Sequence, residues 1–207
     1  TFAFRQLEMR DTGAIDELAA GLDSLDVLVN NAGANFPDGR DEWDPDAFAA
    51  SLGMNVEGAM RLTVRARAAL AASAMAGGAS VVNIVSMTSF RSTTIVPGYS
   101  ASKAALVAMT RNLAVHWVAD GIRVNAVAPG VGLTQMGQSI PPEARQQMLQ
   151  SIPLGRFGKP EEIVYRYTLS KLGVKPEEAW MVGDNLEWDG LAPQRLGLRG
   201  VWVDAPG

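Results

Sequence analysis

Short apolar runs alternate with longer stretches of helical periodicity along most of the 207 residues, and this alternation restricts the possible folds more than any other feature. The runs fall at residues 4–9, 26–30, 80–85, 121–127, 179–183 and 198–203, while residues 12–22, 44–70, 99–118, 161–172 and 189–196 read as helices. Such repetition predicts an α/β protein, three-layered and Rossmann-like, with a mostly parallel sheet between helices. Local signals agree with the pattern. Asp44 followed by Pro45 provides an acidic N-cap and a proline at the first helical position, and Gly77-Gly78 is a stop. Binding sites in open α/β sheets lie beyond the carboxyl ends of the strands. Three such ends carry polar or glycine-rich turns here: Asn30-Asn31-Ala32-Gly33, Ser86, and the stretch from Asn125 to Pro129-Gly130.

Composition removes several kinds of chemistry. Eighteen basic residues stand against 22 acidic ones without any basic cluster, so the electrostatic footprint of a nucleic-acid binder is missing. No cysteine is present, which excludes thiolate catalysis and cysteine metal sites and suits a reducing, cytoplasmic setting. The single histidine, His116, lies in an apolar-periodic helix, where a structural role is expected. No apolar run approaches the roughly 20 residues of a membrane span, and a small-molecule substrate is the expected partner.

Tyr99 and Lys103 are four apart near the start of a helix, and therefore on one face. A cation favours the phenolate form of a tyrosine. At about 4 Å and an effective dielectric of about 20 the attraction is about 4 kcal/mol, at most about 3 pKa units. The spacing alone says little, because Tyr167 and Lys171 repeat it. Ser86 distinguishes the first pair: it sits thirteen residues before Tyr99, directly after a buried-type strand, whereas Leu154 occupies that offset from Tyr167.

With these residues in place, the sequence resembles the short-chain dehydrogenase/reductase family. The matching segments are Asn30-Asn31-Ala32-Gly33, Asn55 in Gly-Met-Asn-Val-Glu-Gly, Ser86 after Val-Val-Asn-Ile-Val, Tyr99-Ser-Ala-Ser-Lys103, and Arg123 to Gly130 followed by Gly132 and Thr134. They occur in family order across residues 1–160. The resemblance implies an NAD(P)-dependent oxidoreductase of alcohols or carbonyls, in which Tyr99 exchanges the substrate's proton and Ser86 binds the same oxygen. Lys103 would lower the tyrosine pKa and hold the nicotinamide ribose, and Asn55 would steady a water in the relay. Glu8, Asn30, Asn31, Ala32 and Gly33 would line the adenosine side of NAD or NADP. Pro129, Gly130, Gly132 and Thr134 would line the nicotinamide end. Homo-oligomerisation through the helices around Asn55 and after Tyr99 is a further family expectation.

The family's Thr-Gly-x-x-x-Gly-x-Gly turn, which holds a pyrophosphate at a helix N-terminus, does not occur in these 207 residues. The expected sheet is therefore incomplete at the N-terminus. Residues 161–207 instead resemble the end of a haloacid-dehalogenase-like phosphatase, joined near Lys159-Pro160, in which Asp184 and Asp189 would help hold Mg²⁺. No Asp-x-Asp nucleophile follows a buried strand, so a solvated turn and a helix cap are the alternative roles for these two aspartates. The tail strands, 179–183 and 198–203, are expected to take up sheet positions beside residues 26–30.

Overall fold

The computed structural model describes residues 5–36, 39–132, 137, 140, 142–152, 155–158, 169, 173, 175–178, 180–183, 191, 194 and 197–202. Its helices are α1 (Thr12–Ala20), α2 (Pro45–Leu52), α3 (Gly58–Arg65), α4 (Arg67–Ala71), α5 (Pro97–His116) and α6 (Pro142–Ser151). The strands are β1 (Val27–Asn30), β2 (Ser80–Ile84), β3 (Arg123–Val127), β4 (Trp180–Gly183) and β5 (Arg199–Trp202). β1, β2 and β3 form a parallel sheet in that order, and β4 pairs with β5 in a separate parallel ladder. This is a Rossmann-like α/β fold.

Strand periodicity and register together decide what the sheet presents to its helices. Leu28, Val81 and Val124 are aligned across the three strands, and two residues further along, Asn30 is aligned with Asn83 and Ala126. The apolar row packs with Ile15 and Ala19 of α1, Ala59 and Leu62 of α3, Leu70 of α4, and Leu106, Met109 and Leu113 of α5 in one buried cluster. The polar row meets the same helices by hydrogen bonding. Asn30 Nδ2 donates to Thr63 Oγ1 of α3 at 2.8 Å and to Asn83 Oδ1 at 2.7 Å, while Asn83 Nδ2 donates to Thr110 Oγ1 of α5 at 2.9 Å. Four buried polar side chains thus tie two helices to two strands, just below the carboxyl edge of the sheet.

Four expectations are corrected. The helix over 44–70 is not continuous: after α2 a π-helical turn spans Gly53–Glu57, and α3 and α4 follow as separate pieces. The wider turn carries Asn55, which is fully buried, and such insertions are frequent at functional sites. Residues 5–8 form no strand. A lone strand needs a ladder partner. β4 comes near β1, their Cα atoms within 8 Å. The tail approaches residues 26–30, but β4 does not take the expected sheet position: it pairs with β5 in a separate ladder and is not hydrogen-bonded into the larger sheet. Finally, α5 starts at Pro97, two residues early, with Val96 as an N-cap that offers no side-chain hydrogen bond. Most of each expected helix, at 161–172 and at 189–196, lies outside the described residues.

Candidate active site at the carboxyl edge of the sheet

Ser86 follows β2, with the strand direction continued by the bond from the Val85 amide to the Val127 carbonyl. Its Oγ caps a short 3-10 turn, Met87–Ser89, by accepting from the Thr88 amide at 3.2 Å and from Thr88 Oγ1 at 3.0 Å. The Tyr99 side chain, in the first turn of α5, feels the same hydroxyl, which favours the ionised form of its phenol. One helical turn on, Lys103 Nζ lies 5.7 Å from the centre of the Tyr99 ring. Only 3% exposed, this ammonium donates to the Ile84 carbonyl at 2.8 Å.

Asn55 locks the floor of the site. Its Oδ1 accepts from the Ala34 amide at 2.9 Å, and its Nδ2 donates to the Ala34 carbonyl at 2.9 Å and to Ser102 Oγ at 3.1 Å. Ser102 Oγ in turn donates to the Tyr99 carbonyl at 2.7 Å. The π-helical turn, the loop leaving β1 and helix α5 are thus joined through one amide. Gly33 fits between them for lack of a side chain: a Cβ there would stand 2.8 Å from Asn55 Oδ1 and 3.0 Å from Lys103 Nζ. Crowding, not backbone conformation, demands glycine at this position.

The electrostatics differ from the sequence expectation. Burial raises the Tyr99 pKa, with the Ser86 hydroxyl opposing the rise and the Glu42 charge adding to it. Lys103 does not pull the phenol down. Its ammonium donates to the Ile84 carbonyl, and burial lowers its own pKa from 10.5 to about 8. A lysine depressed in the folded state alone makes the unfolded chain bind more protons between those two values. Relative to Lys103→Met, the protein should therefore gain up to about 3 kcal/mol of stability as pH rises from about 8 to about 10.5. Urea midpoints of both proteins across that range measure this, and a constant difference would count against it.

Other expected positions are placed differently from one another. The side-chain amide of Asn30 donates to Thr63 and Asn83 inside the helix-facing layer. Asn31 and Ala32 are half-buried in the loop after β1. Glu8 accepts from the Arg10 amide at 3.0 Å and from Arg10 Nε at 3.2 Å, an exposed local turn that lowers its pKa. The Pro129 carbonyl accepts from the Met87 amide at 3.0 Å. Gly130 has open space around it, a Cβ there meeting only Met87 Sδ at 3.9 Å, and Gly132 bridges to Gly158. His116 is exposed at the end of α5. Thr134, Asp184 and Asp189, like Tyr167 and Lys171, lie outside the described residues.

Sequence reasoning passed over Ser102, Thr63, Asn83, Thr110 and Glu42. The strand asparagine was a usable signal, because a polar side chain in the middle of a fully buried strand requires partners. Glu42 gave none, since an acid in a loop rich in Gly, Pro and Asp reads as solvated. Among the described residues no helix is long and apolar enough to cross a membrane, and no cluster of three or more His, Cys, Asp or Glu could hold a metal.

A Rossmann-like parallel sheet with a serine, a tyrosine and a buried lysine gathered at its carboxyl edge defines the class of protein. The family model described as enoyl-(acyl carrier protein) reductase matches residues 9–190, and the chain belongs to the short-chain dehydrogenase/reductase family. Among its relatives is a 3alpha-hydroxysteroid dehydrogenase of Mediterraneibacter gnavus, 32% identical over 87% of this chain and 70% of the relative. Another is a 2-dehydro-3-deoxy-D-gluconate 5-dehydrogenase of Bacillus subtilis, 33% identical over 76% of this chain and 63% of the relative. The crystal structure of a gluconate 5-dehydrogenase from Burkholderia cenocepacia in complex with NADP and tartrate superposes with a TM-score of 0.64 at 25% identity, covering 74% of this chain and 61% of that one. The chain thus spans between three fifths and seven tenths of these proteins. The match to residue 190 runs through the start of the tail.

Proposed function

We propose that this chain carries the proton-transfer centre of an NAD(P)-dependent oxidoreductase acting on an alcohol or carbonyl group. The observation that carries the reading is the buried Lys103 ammonium, 5.7 Å from the centre of the Tyr99 ring and bonded to the Ile84 carbonyl at the end of β2, two residues before Ser86, whose hydroxyl acts on the same phenol. A carbonyl oxygen placed between the two hydroxyls would receive hydrogen bonds from both, and Tyr99 would pass its proton to that oxygen as negative charge develops there. A raised phenol pKa suits the donor role, so reduction is the direction this centre favours near neutral pH.

The residues present fit the nicotinamide end of the cofactor. Lys103 has three N–H donors and, among the described residues, a single oxygen acceptor, the Ile84 carbonyl. The hydroxyls of a ribose supply what a buried ammonium with spare donors requires. The cofactor supplies hydride when bound; the chain's own residues orient the substrate oxygen and hold its proton. Self-association through α3 and α5, whose outer faces expose Met60, Val64 and Val115, accompanies this reading.

A fluorescence titration with NADH and with NADPH tests it. Saturable binding at or below millimolar concentration, weakened at least tenfold by Lys103→Met, is expected. Absence of binding at that concentration would reject the reading for this chain.

A further inference from the structure

Helix α5 carries Tyr99 in its first turn, yet its own N-cap, Val96, offers no side chain to the free amides there. The partner comes instead from 57 residues earlier, where Glu42 Oε2 accepts from the Tyr99 amide at 2.7 Å. That amide belongs to the third residue of the helix, one of the positions a capping side chain normally serves. A carboxylate there also faces the positive end of the helix dipole. Glu42 is fully buried, and its second oxygen, Oε1, accepts from the Phe36 amide at 2.8 Å. Phe36 has φ of +48°, a conformation that costs a bulky residue of order 1–3 kcal/mol and persists only where its surroundings hold it. Beside Glu42, Trp43 Nε1 donates to the Thr94 carbonyl at 2.9 Å, so the same loop grips the lead-in to α5 at a second point. The close fit is visible at Gly98, where a Cβ would stand 3.3 Å from Glu42 Oε2 and 3.0 Å from Ser51 Cβ of α2.

We infer that Glu42 is a positioning residue for Tyr99: its carboxylate fixes the first turn of α5 to the loop that leaves β1. One buried anion thereby sets where the phenol stands relative to Ser86 and links that position to the strained Phe36. It also acts on the phenol through its charge. The groups acting on the Tyr99 phenol are Lys103 on its own helix, Ser86 after β2 and Glu42 from the loop. The negative charge of Glu42 makes phenolate formation harder.

The inference rests on Tyr99 being the acid–base group, but its test needs neither cofactor nor turnover. Phenolate absorbance in the near ultraviolet is followed against pH, with Tyr99→Phe identifying the contribution of Tyr99 among the three tyrosines. Glu42→Gln should lower the Tyr99 midpoint by about one pH unit and speed exchange of the Tyr99 amide hydrogen at least tenfold. Trp43→Phe, which loosens the same loop without changing charge, should leave the midpoint in place. Should Glu42→Gln fail to fold, Gly98→Ala, which forces the helix start away from the carboxylate while keeping its charge, should still speed that exchange at least tenfold. An unmoved midpoint in Glu42→Gln, an equal shift in Trp43→Phe, or unchanged exchange in Gly98→Ala would each overturn the role. If NAD(P)H also fails to bind, the oxidoreductase reading falls while these outcomes still decide whether Glu42 positions Tyr99.

Discussion

Tyr99→Phe is expected to lower carbonyl reduction by about a thousandfold while leaving NADPH affinity within about threefold of the parent. Loss of a positioned proton donor costs 10²–10⁴ in rate, and the phenyl ring keeps the packing that places Lys103 beneath it. Ser86→Ala should be milder, because the substrate oxygen would keep its bond to Tyr99. The pH profile carries the same signature. With the phenol pKa raised by burial and by Glu42, reduction should hold across neutral pH and fall in the alkaline range as the proton is lost. Oxidation of the alcohol, which needs the phenolate, should rise over the same interval. Equal rates for Tyr99→Phe and the parent would remove Tyr99 from the mechanism.

Asn83→Leu should have the largest effect on stability among single changes around the site. It removes the acceptor at 2.7 Å from Asn30 Nδ2 and the donor at 2.9 Å from Thr110 Oγ1, and so strands a buried N–H. A buried polar group without a partner costs about 1–3 kcal/mol beyond the lost bond. A total near 3 kcal/mol would lower Tm by about 6–12 °C for a chain of this size. Pairing Asn83→Leu with Asn30→Leu should cost less than the sum of the two single changes, because the stranded N–H is then gone as well. Strict additivity in calorimetry would show that the four side chains do not act as one network.

How much of this could be read from the sequence depended on whether the determinants were local. The strands β1 to β3 followed from apolar runs bounded by turns, and α2 from Asp44-Pro45, whose carboxylate accepts from the Asp46 and Ala47 amides at 3.0 and 2.9 Å. Tyr99, Lys103 and Ser86 were found by spacing, and the structure brings them together. The π-helical turn left no mark, because Gly53–Glu57 keeps helical composition and is opened by what Asn55 binds, the backbone of Ala34 and the hydroxyl of Ser102. The direction of the Tyr99 shift was missed for a related reason. An i to i+4 pair fixes proximity, but it does not show that the Ile84 carbonyl takes the lysine's hydrogen bond or that a distant glutamate is buried nearby. The distal cap of α5 was equally invisible, since capping rules look at adjacent residues.

The position of β4 against β1 bears on how the chain is made. The two strands are separated by about 150 residues of sequence, and contacts at such separation form slowly because the intervening loop must first be closed. During synthesis, β1 and β2 can pair as soon as the helices between them have left the ribosome, but β4 reaches β1 only after all the intervening residues have emerged. Until then β1 lacks β4 as its neighbour, and an uncovered strand edge is a template for pairing with another nascent copy. Charged or chaperone-bound neighbours would have to guard it for that interval. A chain stopped before Trp180 should accordingly aggregate more on expression than the 207-residue chain, which sedimentation of the two lysates compares.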